Sequence, residues 1–331
     1  MSASLRGAVL ALLAALLVGL LLAVPTAAEA QAANPSRHCI AFGPHIKGYN
    51  AVRGPYPPPR VIDELLDRLV RQTRFRCIQT YGVLHGLNYT FAAAERRGLR
   101  VVAIIWLDPS VASNQASINL GIREARRYPN TIIRISCGSE MRTRSGVNLD
   151  GVISNCISRF RAARVRQPIG TIESWWEWCA RSWNPCKSWG ISRQVDWIGV
   201  AVYPWWENKY SGIFPCVAAD RAADFTIARY KDVIRRYPGK AVYLNEFGWP
   251  GGPEGYREVN RFTGQTCGEA GEKNQNLVIS GTLARLDRER MPQAVVFSAF
   301  REAWKQETEG PAGSFWGICR GDKPYTCKRL Y

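Results

Sequence analysis

The chain has 331 residues, a formal net charge of +17 supplied mostly by arginine, ten cysteines and twelve tryptophans. With no C-x-x-C pair and only His38, His45 and His85, a zinc site is not expected. The arginines recur in nearly every predicted helix instead of gathering on one element, which argues for a solvated basic surface and against a nucleic-acid module.

The first thirty residues read as an export signal. Arg6 supplies a basic start, Ala8 to Val24 an apolar run, and Ala28-Glu29-Ala30 a cleavage site. An uncleaved anchor is the competing reading, because ~18 apolar residues are enough to span a bilayer. After cleavage the chain is expected to be secreted or periplasmic, monomeric, and without stable membrane insertion. Cysteines in that compartment are expected to pair. Cys179/Cys186 and Cys319/Cys327 are the favoured local bridges, with Cys216/Cys267 as a further pair.

Residues 31–331 then have the length of one large domain. Cys39 to Phe42 is a short strand stopped by Gly43-Pro44, and Val61 to Arg71 has helical spacing at Ile62, Leu65, Leu66 and Leu69. Strand Arg76–Tyr81 and helix Tyr89–Arg97 follow. Leu99 to Leu107 is almost continuously apolar, as a strand buried on both faces should be. Helix Gln115–Arg127, strand Thr131–Cys137 and helix Asp150–Arg166 come next.

A fifth strand spans Ile169–Glu173, a sixth Val195–Tyr203 and a seventh Ala241–Glu246, with a helix over Ala218–Arg236 before the seventh. Helix Lys273–Arg290 leads to the last strand, Ala294–Phe300. Strand-to-strand connections of this length demand parallel pairing, and eight such units close into a single (β/α)₈ barrel with disulfide-stapled loops on its catalytic face. An open doubly wound sheet is the alternative, but no Gly-rich phosphate turn follows any strand. No cofactor is implied.

Barrels of this kind hold their chemistry at the carboxyl ends of the strands. Glu246 closes the seventh strand before Gly248 and Pro250, and Glu140 lies just past the fourth. Two carboxylates facing one another across a barrel mouth suit glycoside hydrolysis, one protonating the leaving oxygen and one acting at the anomeric carbon. A gap of ~5–5.5 Å gives retention and ~6.5–9.5 Å inversion. Spacing alone does not choose the pair, because Asp108, Glu173, Glu207 and Glu302 also follow predicted strands. Glu140 has a salt bridge to Arg142 or Arg144 as its bland reading, and Glu246 has backbone amides at a strand end.

The motifs choose. Glu246-Phe247-Gly248-Trp249-Pro250 matches E-x-G-W-P, and Gly138-Ser139-Glu140 matches G-N-E apart from its middle residue. Tyr81-Gly82, Val195 through Trp206, Phe300 to Lys305 and Trp316-Gly317-Ile318 follow in the right order. On these motifs the chain resembles glycoside hydrolase family 17, the β-1,3-glucanases, particularly bacterial members, over nearly its whole mature length.

The resemblance implies a retaining enzyme on β-glucan, hydrolase or transglycosylase, with Glu246 as nucleophile and Glu140 as acid/base. It also implies that Tyr203 orients Glu246 and that Glu302 and Lys305 support the site. Tyr81, Ser139, Tyr203, Trp205, Trp249, Glu302, Trp304 and Lys305 make up the expected substrate-binding set. Trp205 and Trp304 are assigned to sugar faces, with Trp175 and Trp176 as further candidates, while Trp183 and Trp189 are read as packing. Ser139 stands where the family has Asn, and Arg301 where it has an acid. A weakened glycan-binding barrel and an electrostatic binder of anionic polymers are the readings from other classes.

Overall fold

The computed structural model describes residues 34–145, 149–178, 189–210, 216–328 and 330. The expected export segment and the Cys179/Cys186 pair lie outside the described residues. Among those residues no helix is long and apolar enough to cross a membrane.

The strands are β1 (Cys39–Phe42), β2 (Cys77–Tyr81), β3 (Arg100–Ile105), β4 (Ile132–Ser139), β5 (Ile169–Ser174), β6 (Trp197–Val202), β7 (Ala241–Phe247), β8 (Glu258–Val259), β9 (Thr266–Cys267) and β10 (Val295–Val296). Eight of them close a barrel in the order β1-β10-β7-β6-β5-β4-β3-β2, and β8 and β9 form a separate two-stranded sheet. Every barrel pairing is parallel. The predicted (β/α)₈ barrel is the observed fold.

The side-chain alternation of a strand divides the core in two. Val102 and Ile104 of β3 point inward with Cys39, Ala41, Cys77, Ile172, Trp197 and Val295. Val101, Ala103 and Ile105 point outward into the layer shared with the helices. The helix Pro59–Gln72 shows how that layer is built. Proline starts it where no intrahelical N–H is needed, and Val61, Ile62, Leu65, Leu66 and Leu69 bury one face.

Inside the barrel, a Cβ on Gly170 would stand 2.3 Å from the Trp197 ring. Glycine there lets the indole fill the interior. Arg134 lies 3.8 Å from the Tyr243 ring centroid and 5.6 Å from that of Trp197. Packed in this way, the interior is filled below the carboxyl ends of the strands.

Two expectations change. The last strand is shorter than Ala294–Phe300, because Ser298 N–H donates to the Trp316 carbonyl and Ile318 N–H to that of Ser298. The 316–319 segment thus takes over backbone groups that a longer strand would have paired. The disulfides Cys216–Cys267 and Cys319–Cys327 are as expected. Two more were not: Cys39–Cys77 joins β1 to β2 inside the barrel, and Cys137–Cys156 ties β4 to the helix Asp150–Ala162. Both pair residues on separate elements, which local spacing does not reveal.

Candidate active site

Glu246 sits one residue before the end of β7 and is 3% exposed. Three donors converge on it. The Tyr81 hydroxyl reaches Oε1 at 2.8 Å, the Tyr203 hydroxyl reaches Oε2 at 2.8 Å, and Gln79 Nε2 reaches Oε1 at 3.3 Å. Gln79 is itself held by the Asn245 side-chain amide at 2.9 Å. Gln79 and Tyr81 are two apart on β2 and so share the inward face, a signal legible in the sequence that went unused there.

Glu140 follows β4 directly and turns the chain through a left-handed φ of +51°. Its N–H donates to the Ile172 carbonyl, and its own carbonyl accepts from Arg144 N–H, opening the short helix Met141–Ser145. Among the described residues the side chain receives one hydrogen bond, from the Ser174 hydroxyl at 2.7 Å. Neither arginine of the bland reading forms a salt bridge with it. Arg142 pairs with Glu177 at 3.4 Å, while Arg144 donates through Nε to the Ser139 carbonyl at 3.0 Å and lies over the Trp106 ring.

The two carboxylates feel one another. Burial pushes the Glu246 pKa up to about 7, the charge of Glu140 adds to this, and the Tyr203 and Tyr81 hydroxyls oppose it. Burial also raises Glu140, against the Ser174 hydroxyl and the Arg144 charge. Both tyrosines are held well above their ordinary pKa by burial and by Glu246, so they stay donors.

On the far side of the mouth Glu302 and Lys305 form a buried pair at 2.7 Å. Burial works against the Lys305 charge, but Glu302, Glu309 and Glu246 together outweigh it and the ammonium is raised overall. Its Nζ lies 4.1 Å from the Phe297 ring centroid. Trp304, half-buried, points its Nε1 to Glu302 Oε1 at 3.3 Å. Ser139 is 3% exposed and offers its carbonyl to Arg144.

Two expected sugar contacts are corrected. Trp205 and Trp249 are fully buried and pack edge to face at 5.2 Å. The Trp249 Nε1 is spent on the Glu269 carbonyl at 2.9 Å. No ring face is left for a pyranose, so both belong to the packing beneath the loops. Trp175 is likewise buried, with its Nε1 on Glu207 at 2.8 Å, which also accounts for that competing acid. Asp108 accepts from the Ser110 N–H in its own turn. Trp189 packs against Trp178 at 4.7 Å as expected, and Trp183 lies outside the described residues.

Sequence reasoning left Gln79, Thr143 and Ser174 unremarked, read Gly43 only as the stop of the first strand, and set Glu173 aside only as a rival acid. Gly43 is explained by space alone, as the Glu302 carboxylate fills the volume a side chain would occupy.

Residues 46–317 match the family model described as the BtgE/BtgC glycoside hydrolase domain. The chain belongs to that family.

This glycoside hydrolase domain is also similar in fold to solved barrels. A glycoside hydrolase family 17 β-1,3-glucanosyltransferase from Rhizomucor miehei matches at 18% identity and a TM-score of 0.68, covering 90% of this chain and 97% of that one. An endo-laminarinase from Formosa matches at 16% and 0.69, covering 90% and 86%. A β-D-glucuronidase from Dictyoglomus thermophilum matches at 16% and 0.58, covering 86% of this chain and 49% of that one. A search of curated proteins found no match.

Proposed function

We propose that this domain is a retaining glycosidase acting on β-glucan, most directly β-1,3-linked, with Glu246 as nucleophile and Glu140 as acid/base. One observation carries the reading: among the described residues Glu246 receives three hydrogen bonds and Glu140 one, although both are held up by burial. A negative charge shared by such a pair resides where the donors are, and the proton on the other carboxyl.

The roles follow. Glu246 attacks the anomeric carbon while Glu140 gives its proton to the departing oxygen, leaving a glycosyl ester and an ionised Glu140. Glu140 then takes a proton from water or from a sugar hydroxyl, whose oxygen displaces Glu246. Water gives hydrolysis and a sugar hydroxyl gives transfer. The similar Rhizomucor miehei structure, a glucanosyltransferase with laminaritriose bound, supports β-1,3-glucan as the ligand class and keeps transfer alongside hydrolysis. Lys305, whose charge favours ionised Glu246, and Trp304 line the mouth as supporting groups.

Export to an oxidising compartment belongs to the same reading, supported by four disulfides among the described residues. Laminarin-type oligosaccharides incubated with the mature protein and resolved by mass test it. Shortened products mean hydrolysis and lengthened ones transfer. Unchanged oligosaccharide would defeat the proposal. Glu246→Ala and Glu140→Ala should each abolish most turnover, and near-full activity in either removes that residue from its role.

A further inference from the structure

Glu173, on β5, is fully buried and takes no part in the steps above. Its Oε1 accepts the Arg142 N–H at 2.8 Å. Its Oε2 lies 3.2 Å from the Thr143 hydroxyl and also faces the Thr143 N–H, at 3.5 Å. That hydroxyl is also 3.0 Å from Ser174 Oγ, which in turn is 2.7 Å from Glu140 Oε1.

The three contacts need three protons and the two hydroxyls supply two, so one of the end carboxyls supplies the third. With the Ser174 hydroxyl donating to Glu140 Oε1, that carboxyl is Glu173. Each hydroxyl has one proton to give. Ser174 spends its proton on the Glu140 carboxyl, the shortest link, so its oxygen accepts from Thr143. The Thr143 proton is then committed to Ser174, and the contact between Thr143 Oγ1 and Glu173 Oε2 needs a proton from Glu173. Oε1, which takes the short N–H contact from Arg142 against the 3.5 Å one at Oε2, is the carbonyl oxygen, and Oε2 carries the hydrogen.

We propose that Glu173 is a neutral carboxylic acid anchoring a one-way hydrogen-bond chain through Thr143 and Ser174, and so acts as a positioning residue for Glu140. The surroundings agree with this assignment. Burial first, then the charges of Glu140 and Glu177, push its pKa up to about 8, against the Arg142 N–H and the Thr143 hydroxyl. Arg144 is the nearby cation that interacts with both Glu140 and Glu173. With the chain aligned, the Ser174 proton is held on Glu140 through both halves of the cycle and steadies its ionised form. The inference rests on Glu140 being the acid/base.

Two experiments separate the chain from that premise. Infrared spectra at neutral pH should show a protonated-carboxyl stretch that survives Glu140→Gln and disappears in Glu173→Gln. No such loss in Glu173→Gln overturns the proposal, whatever Glu140 does. In pH profiles of kcat/KM, Glu173→Gln keeps an amide N–H where the acid had its proton, so its basic limb should overlie that of the unaltered enzyme. Thr143→Val breaks the chain, frees Ser174 to turn away and raises the Glu140 pKa. Its basic limb should move up by about one pH unit, the size of one hydrogen bond to a charged group, and Ser174→Ala should do the same. A basic limb that moves in Glu173→Gln, or stays in place in both Thr143→Val and Ser174→Ala, overturns the proposal. If Glu140→Gln keeps full turnover, the acid/base reading fails while the infrared result still decides the state of Glu173.

Discussion

A side-chain carbon on Gly43 would stand 2.4 Å from Glu302 Oε1. The residue after β1 is therefore glycine because the carboxylate partnering Lys305 occupies that volume. Glu302 is buried, and the two side chains hold one another in the wall of the mouth. Gly43→Ala should displace Glu302 and leave Lys305 as a buried cation with a broken partner. Breaking such a pair costs about 3–5 kcal/mol, so the melting temperature should fall clearly and kcat with it. Thermal denaturation beside steady-state kinetics checks this, and an unchanged melting temperature would show that Glu302 can move at no cost.

The Tyr81 and Tyr203 hydroxyls stabilise the ionised form of Glu246, and each is worth about 1.5–3 kcal/mol as a hydrogen bond to a charge. Removing either donor raises the Glu246 pKa from its value of about 7. At a given acidic pH the fraction of ionised nucleophile then drops. Tyr203→Phe and Tyr81→Phe should each move the acid limb of the kcat/KM profile up by about one to two pH units. A limb that moves down, or does not move, would contradict Glu246 as the group that must be ionised.

Trp205 and Trp249 pack on each other under the loops, away from solvent. Trp205→Ala should cost about 3–5 kcal/mol of stability, as large truncations in a core do. The variant that does fold should bind oligosaccharide as before. Trp304→Ala is the contrast: the half-buried ring is at the mouth, so affinity for oligosaccharide should weaken with little loss of melting temperature. Titration calorimetry and thermal denaturation on the two variants distinguish these outcomes.

The Cys39–Cys77 bridge closes a sequence separation of 38 residues and Cys319–Cys327 one of 8. Loop-closure entropy makes the longer loop worth about 4 kcal/mol and the shorter about 2.5. Cys39→Ala with Cys77→Ala should thus destabilise more than Cys319→Ala with Cys327→Ala, as read from denaturant midpoints. Equal midpoints would mean that the unfolded chain is already restricted near β1 and β2.

The sequence by itself determined the barrel. Short apolar runs such as Val101–Ile105 alternate with amphipathic stretches such as Pro59–Gln72, and the chain between successive strands is too long for hairpins. It also placed Glu140 and Glu246 at strand ends, because a strand stops where glycine and proline stop it.

Only the tertiary structure decided what surrounds those carboxylates. Gln79 and Tyr81 reach Glu246 from a strand some 165 residues away along the chain, and Cys39 meets Cys77 only once β1 and β2 pair. Trp205 and Trp249 carry the same residue type as Trp304, yet two are sealed in a core and one lies at the mouth. Local pattern records which way a backbone runs and where it ends. Which neighbour a side chain meets, and whether water is excluded from it, depends on elements far apart in sequence coming together.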